Sequence, residues 1–157
     1  MRKGTLILVM AMMVVLGGAP GAAACTCSVP SMVDSWMESS LIFAGRVTQL
    51  TPMTSGSLSG FTVVEFEAAK FWKGATDSGS ILLLNPSNEG LCGYHFVLDQ
   101  EYLVYAETSA NNEGWQRTSI CSRTSGWLED HPDVSFLDEV TSVEEKSWTA
   151  LKKLFTD

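Results

Sequence analysis

Cys25, Thr26 and Cys27 directly follow Ala22-Ala23-Ala24, and this is where the sequence offers distinctive chemistry. Arg2 and Lys3 form a basic start, Leu6 to Leu16 is an unbroken apolar run, and small residues lead from Gly17 to an A-x-A cleavage signal. Cleavage after Ala24 makes Cys25 the first residue, with its α-amine beside its own carbonyl oxygen. Those two atoms can chelate a metal ion held in another protein's active site, even when the cysteine thiol is tied up in a disulfide. The residues that matter for this chemistry are therefore the ones that hold position 25 still.

Residues 1–24 read as a removed export signal, since the apolar run is short for a bilayer span and no stop-transfer pattern follows it. Residues 25–157 then form one domain with a real core. The chain carries 10 basic and 18 acidic residues, a net charge of −8. Both charges in the signal are basic, so the mature chain is more acidic still. Such a surface argues against nucleic acid or anionic lipid as partners. It suits a soluble, monomeric, secreted protein, or a periplasmic or surface one if the source is bacterial. The four cysteines, Cys25, Cys27, Cys92 and Cys121, make an even count that reads as two disulfides. A 25–27 bridge would close a very small strained ring. That leaves 25–92 with 27–121, or the crossed alternative. A cysteine zinc site is the competing idea, but it lacks paired C-x-x-C knuckles and nearby histidines.

The positioning elements follow from pattern. Ser31 with Asp34 resembles a capping box opening a short helix, with Met32, Val33, Trp36 and Met37 on one face. Leu41 to Leu50 reads as a strand and Pro52 to Gly60 as a loop. Phe61 to Trp72 is a long strand, with Val64, Phe66 and Ala68 on one face and Glu65 and Glu67 on the solvated other. Ser80 to Leu84 reads as a buried strand, followed by a loop from Asn85 to Gly90 that delivers Cys92. Glu101 to Glu107 and Trp115 to Cys121 complete five strands, and closing them into a small barrel hides their edges. Residues 141–156 form an amphipathic helix, with Val143, Trp148, Leu151 and Leu154/Phe155 inward, packed on the barrel.

The cysteine pattern and its neighbours resemble the N-terminal inhibitory domain of the tissue inhibitors of metalloproteinases, within the netrin-like group. The resemblance is carried by Cys25-Thr26-Cys27, Phe43-Ala44-Gly45-Arg46-Val47, Lys70-Phe71-Trp72-Lys73-Gly74, Glu89-Gly90-Leu91-Cys92-Gly93-Tyr94, Tyr102-Leu103-Val104-Tyr105-Ala106 and Thr118-Ser119-Ile120-Cys121-Ser122. These segments occur in the family's order and span about Cys25 to Trp127. The resemblance implies a five-stranded OB-fold barrel of netrin-like type, with a short N-terminal helix and a C-terminal helix. It selects the pairing 25–92 with 27–121. It also implies that the Cys25 α-amine and carbonyl displace water from the open zinc position of a metalloprotease, the expected partner. Thr26 would enter the specificity pocket, Cys27 and Ser28 would extend the wedge, and Asn88, Glu89, Gly90 and Leu91 would form a second contact ridge. The chain departs from the family in lacking a third disulfide and a cysteine-rich C-terminal domain, in Ser28-Val29-Pro30, and in the short loop at Pro52 to Gly60.

No other residues form a catalytic constellation, so no enzyme activity and no cofactor are expected. His95 and His131 have no sequence neighbours suggesting a triad and read as structural or surface residues. Glu129, Asp130 and Asp133 do not resemble a calcium loop. The five tryptophans read as core or barrel cover. Two other readings stand beside the inhibitor: a non-inhibitory netrin-like binding module, and a lipoprotein acylated at Cys25. Lipidation would consume the thiol and block the amine.

Overall fold

The computed structural model describes residues 25, 27–74, 79–87, 92–110, 114–128 and 130–156. The proposed signal, Thr26 and the loop Asn88 to Leu91 lie outside the described residues. Helix α1 (Met32–Glu38) is followed by strands β1 (Leu41–Met53), β2 (Phe61–Lys73), β3 (Ser80–Pro86), β4 (Glu101–Thr108), β5 (Gln116–Arg117) and β6 (Ser125–Gly126), then by helix α2 (Asp133–Thr156). The sheet order is β1-β2-β3-β5-β4, and β4 pairs back onto β1, which closes a five-stranded barrel. The β3–β5 pair is parallel and the others are antiparallel. This is the expected OB-type architecture, and the two-residue β6 is an addition on β4.

Closure depends on β1, which pairs with β2 along most of its length and with β4 over Leu41–Arg46. Serving two neighbours bends the strand. Its register against β2 slips at Ile42/Phe43, Ala44/Gly45 and Val47/Gln49, the bulges that such curvature requires. Gly45 sits at one of these slips, where a Cβ would come within 2.8 Å of the Glu67 carbonyl oxygen.

Two apolar cores flank the strands. Phe43, Val47, Val64, Phe66, Leu83 and Val104 point into the barrel, with the Phe66 ring edge-on to Phe43 and Phe96. The alternate residues Ile42, Ala44, Leu103 and Tyr105 point outward beneath Trp36 of α1 and Leu137 of α2. Every residue from Tyr102 to Ala106 is therefore buried, which accounts for the unbroken apolar run in β4.

Five expectations about the elements need correction. The inner face of α1 is Ser35 and Trp36, whereas Val33 and Met37 are 54% and 74% exposed; the barrel meets a single turn of this short helix. The strand expected over Trp115 to Cys121 is only Gln116–Arg117, because Thr118 turns its hydroxyl onto the Tyr105 carbonyl and the chain must swing out to bring Cys121 to Cys27. Strand β3, expected as a buried strand over Ser80 to Leu84, has an outer face on which Leu82 is 47% exposed. Helix α2 starts at Asp133 instead of near 141, and its docked face is Val134, Leu137 and Val140, while Val143 is 59% exposed. Residues Pro52 and Met53, expected in a loop, extend β1, and the hairpin closes through Gly60 N–H to Met53 O at 3.1 Å.

The early start of α2 has an electrostatic cause. Asp133, 1% exposed, accepts two hydrogen bonds from Arg123 (2.6 and 2.8 Å) and one from the Tyr105 hydroxyl (2.8 Å). His131 Nδ1 accepts the Asp133 N–H at 3.2 Å, capping the helix, and its Nε2 lies 2.7 Å from Ser125 Oγ. Burial alone would raise the Asp133 pKa. The hydrogen bonds from Arg123 and Tyr105 and the guanidinium charge outweigh burial, so the carboxyl titrates below its usual value. Burial and the same carboxylate push the Tyr105 phenol far above its ordinary range. Farther along α2, hydrogen bonds from Lys70 and then Trp72 also lower Asp138.

A carboxylate with a depressed folded pKa stabilises the fold above its unfolded pKa of about 3.9 and loses that contribution as pH falls through the lower folded value. Stability is therefore expected to hold near neutrality and to fall below about pH 4. Asp133→Asn is expected to cost roughly 3 kcal/mol at pH 7 and to flatten the acid limb, read by urea unfolding at a series of pH values. An unchanged acid limb would remove Asp133 from this role.

Candidate functional site

The N-terminal segment has no regular structure of its own between Cys27 and Ser31, so its position depends on what it is tied to. Two disulfides, Cys25–Cys92 and Cys27–Cys121, bind it to the barrel, and no free cysteine remains among the described residues. The pairing implied by the resemblance is the one observed. All four thiols are used, so the cysteine zinc site is excluded, and the Cys25 sulfur is already occupied against lipidation.

The partner cysteines are linked to each other. Ile120 N–H donates to Cys92 O at 3.0 Å, so the residue before Cys121 is bonded to the residue that holds Cys25. Cys92 adopts φ 59°, a left-handed conformation that costs a non-glycine residue about 1 kcal/mol and is retained where the surroundings demand it. Those surroundings are visible next door. A Cβ on Gly93 would come within 2.0 Å of Pro86 O, so the chain after Cys92 presses directly on the end of β3. Buried Asn85 then pairs with both backbone groups of Tyr94, accepting its N–H at 3.0 Å and donating to its carbonyl at 2.9 Å. Beneath it, the Tyr94, Phe96 and Tyr102 rings pack against one another and onto Phe66.

The sequence-derived site residues fall into two groups. Cys25 is half-buried, while Cys27 and Ser28 are exposed on one edge of the barrel. Thr26, Asn88, Glu89, Gly90 and Leu91 lie outside the described residues, although their covalent neighbours Cys25 and Cys92 are joined. A groove of about 680 Å³ opens beside Cys25, with Leu50, Pro52, Tyr94 and Ile120 among its walls. Its apolar lining suits a peptide side chain. On the other flank, a polar cleft of about 230 Å³ separates α1 from residues 117–123. Ser35 Oγ, which belongs to a residue lining that cleft, is the buried side-chain atom without a hydrogen-bond partner among the described residues.

Sequence reasoning missed two features. Arg123 donates from Nη1 to Pro30 O at 2.9 Å while its other two nitrogens bind Asp133, so one side chain spans three parts of the chain. The hydrogen bonds to Asp133 also raise the Arg123 pKa, despite its partial burial. An isolated Arg two residues beyond a cysteine gives no sequence signal for this. The second is the Ser125–His131 contact. Because His131 Nδ1 accepts a backbone N–H, the ring proton sits on Nε2 and points at Ser125, which is the reverse of a general base accepting a serine proton. No cluster of three or more His, Cys, Asp or Glu suited to a metal is found among the described residues. No helix among them is long and apolar enough to cross a membrane.

No model of a known protein family matches the chain, and no curated protein matches it.

The close approach at Gly93 predicts that Gly93→Ala displaces the Cys92 loop from β3 and destabilises the protein by roughly 2–3 kcal/mol in chemical denaturation under non-reducing conditions. Stability within 0.5 kcal/mol of the parent, which is about what an unconstrained surface position gives, would show that the loop is not held by this contact.

Proposed function

We propose that the protein is a secreted inhibitor of zinc metalloendopeptidases that acts through the N-terminus at Cys25. The observation that carries this reading is the disulfide pair linking Cys25 and Cys27 to Cys92 and Cys121, with the Ile120–Cys92 hydrogen bond between them. It makes residues 25 and 27 part of the barrel's rigid body. Export supplies the chemistry: removal of residues 1–24 turns the Cys25 nitrogen into an α-amine, a group whose reference pKa is ~7.7–8.0. A useful fraction is then neutral at physiological pH, and zinc binding displaces the remaining proton. Amine and carbonyl together occupy the coordination position that hydrolytic water needs. On this reading Thr26 enters the adjoining pocket of the protease, Cys27 and Ser28 continue the wedge, and Asn88 to Leu91, which precede Cys92 in the sequence, supply a second contact ridge. The barrel on this reading is of the netrin-like type. A terminus held by two disulfides before docking loses little conformational entropy on binding. The disulfides also suit an oxidising compartment outside the cytosol.

A second reading is favoured by the apolar stripe of Val29, Val33 and Met37, all exposed beside the same segment. In that case the protein is a netrin-like binding module, and the terminus is only an anchor.

One residue decides between them. The exported protein should have the intact mass of Cys25–Asp157 with two disulfides, and it should inhibit members of a panel of zinc metalloendopeptidases. Adding a single alanine before Cys25 moves the amine off the zinc and is expected to weaken inhibition at least about a hundredfold, near 2.8 kcal/mol. Full potency in the extended protein would rule out chelation. Binding that tolerates extension, without inhibition, would support the module instead.

A further inference from the structure

We infer that Arg123 is a positioning residue for the N-terminal segment, fixing Pro30 against the barrel and α2 and so setting the direction in which Cys27 and Ser28 are presented. The inference rests on the reading that this terminus is the interacting one.

The two disulfides hold residues 25 and 27, but after Cys27 the chain runs through exposed Ser28 and Val29 before α1 begins. An anchor beyond them is needed to define the path on which the chain leaves Cys27. The Pro30 carbonyl provides it. Ser31 is the N-cap of α1 and its carbonyl accepts the Ser35 N–H, so the Pro30 oxygen lies outside the helix ladder. Arg123 Nη1 reaches that oxygen at 2.9 Å. Residues 121 and 123 thus hold residues 27 and 30, one through sulfur and the other through a guanidinium.

The guanidinium is itself immobilised. Its Nε and Nη2 form a fork onto Asp133 Oδ2 and Oδ1, and the same carboxylate accepts the Tyr105 hydroxyl from the centre of β4. Because guanidinium is planar, fixing two of its nitrogens on one carboxylate fixes where the third nitrogen points. Asp133 is the first residue of α2, so the docking of that helix is coupled to the terminus through one side chain. A lysine carries the same charge but cannot supply three donors in this fixed plane.

The test compares wild type, Arg123→Lys and the double variant Arg123→Leu/Asp133→Leu. The double variant replaces the buried ion pair with apolar bulk and keeps the comparison open if the lysine variant does not fold. Hydrogen exchange is followed in β4 and at the amides of Asp34 and Ser35, which donate to Ser31 next to Pro30, with both disulfides intact; association and dissociation rates are measured against a metalloprotease that the parent inhibits. The expected result is exchange at Asp34 and Ser35 faster by about tenfold or more, with β4 unchanged. Dissociation from the protease should be about tenfold faster, with association little changed. Unchanged exchange at Asp34 and Ser35, or an acceleration spread equally over β4, would overturn the positioning role. If the parent inhibits no protease, the inhibitor reading fails while the exchange measurement still decides whether Arg123 positions the segment.

Discussion

The thiols of Cys25 and Cys27 lie in a stretch without regular structure, yet they reach partners 67 and 94 residues away. In the chain-entropy picture, closing either loop removes roughly 4 kcal/mol of unfolded-state freedom, and the two together remove less than twice that because the loops overlap. The native-state consequence matters more here. A terminal segment usually frays because it has too few contacts to offset its entropy. In this chain both cysteines end on neighbouring turns that are hydrogen-bonded to each other through Ile120 and Cys92. The bridges and that bond form one closed circuit, so displacing residue 25 means displacing residues 92 and 120 as well. The strained backbone at Cys92, the contact of Gly93 with Pro86 and the Asn85 bracket on Tyr94 all extend this circuit down to the aromatic end of the barrel.

The other half of the support runs through β4. A strand buried on both faces couples whatever packs on either side of it, and β4 separates the barrel interior from the layer of α1 and α2. Tyr105 carries a polar path through that outer layer, from the strand to Asp133, to Arg123 and then to Pro30. Buried ion pairs are not efficient stabilisers, since desolvation offsets most of their attraction and apolar replacements often do as well. What they supply is direction. A hydrophobic contact between α2 and the segment before α1 would allow sliding, whereas a forked guanidinium with all three nitrogens engaged does not.

How much the sequence revealed depended on whether the signal was local. Strand periodicity in Val64, Phe66 and Ala68, the apolar run of β4, the Ser31 cap and the cysteine count are read from neighbouring residues, and each appears in the fold where it was expected. The disulfide pairing was left open by local reasoning and was selected by the resemblance. The misplaced elements were those governed by distant partners. Trp115 to Cys121 has strand-like composition, but its Thr118 hydroxyl is claimed by β4 and its Cys121 by the terminus. The start of α2 is set by a buried salt bridge to a residue in a preceding loop, which no helical periodicity records. On α1, four apolar side chains suggested a face, while a barrel that touches one turn selected Trp36 and left Val33 and Met37 in water. The Arg123 anchor had no sequence signature, since a guanidinium aimed at a carbonyl follows only from the folded path of three separate segments.

A peptide that enters a protease active site must avoid becoming its substrate, and the proposed docking meets that requirement through coordination chemistry. Hydrolysis needs a zinc-bound water aimed at a carbonyl carbon. When an α-amine and the carbonyl oxygen of the same residue both bind zinc, the water is displaced, and no residue precedes the amine to occupy the far side of the cleft. The Cys25–Thr26 peptide bond then lies beside the metal without a nucleophile to attack it. Rigidity reinforces the effect: cleavage would require the segment to shift toward the geometry of a tetrahedral intermediate, and both disulfides resist that shift. Even a cut after Cys25 would release nothing, because Cys25 remains joined to Cys92. The covalent attachment that presents the terminus is therefore the same feature that would keep it in place after a chemical failure.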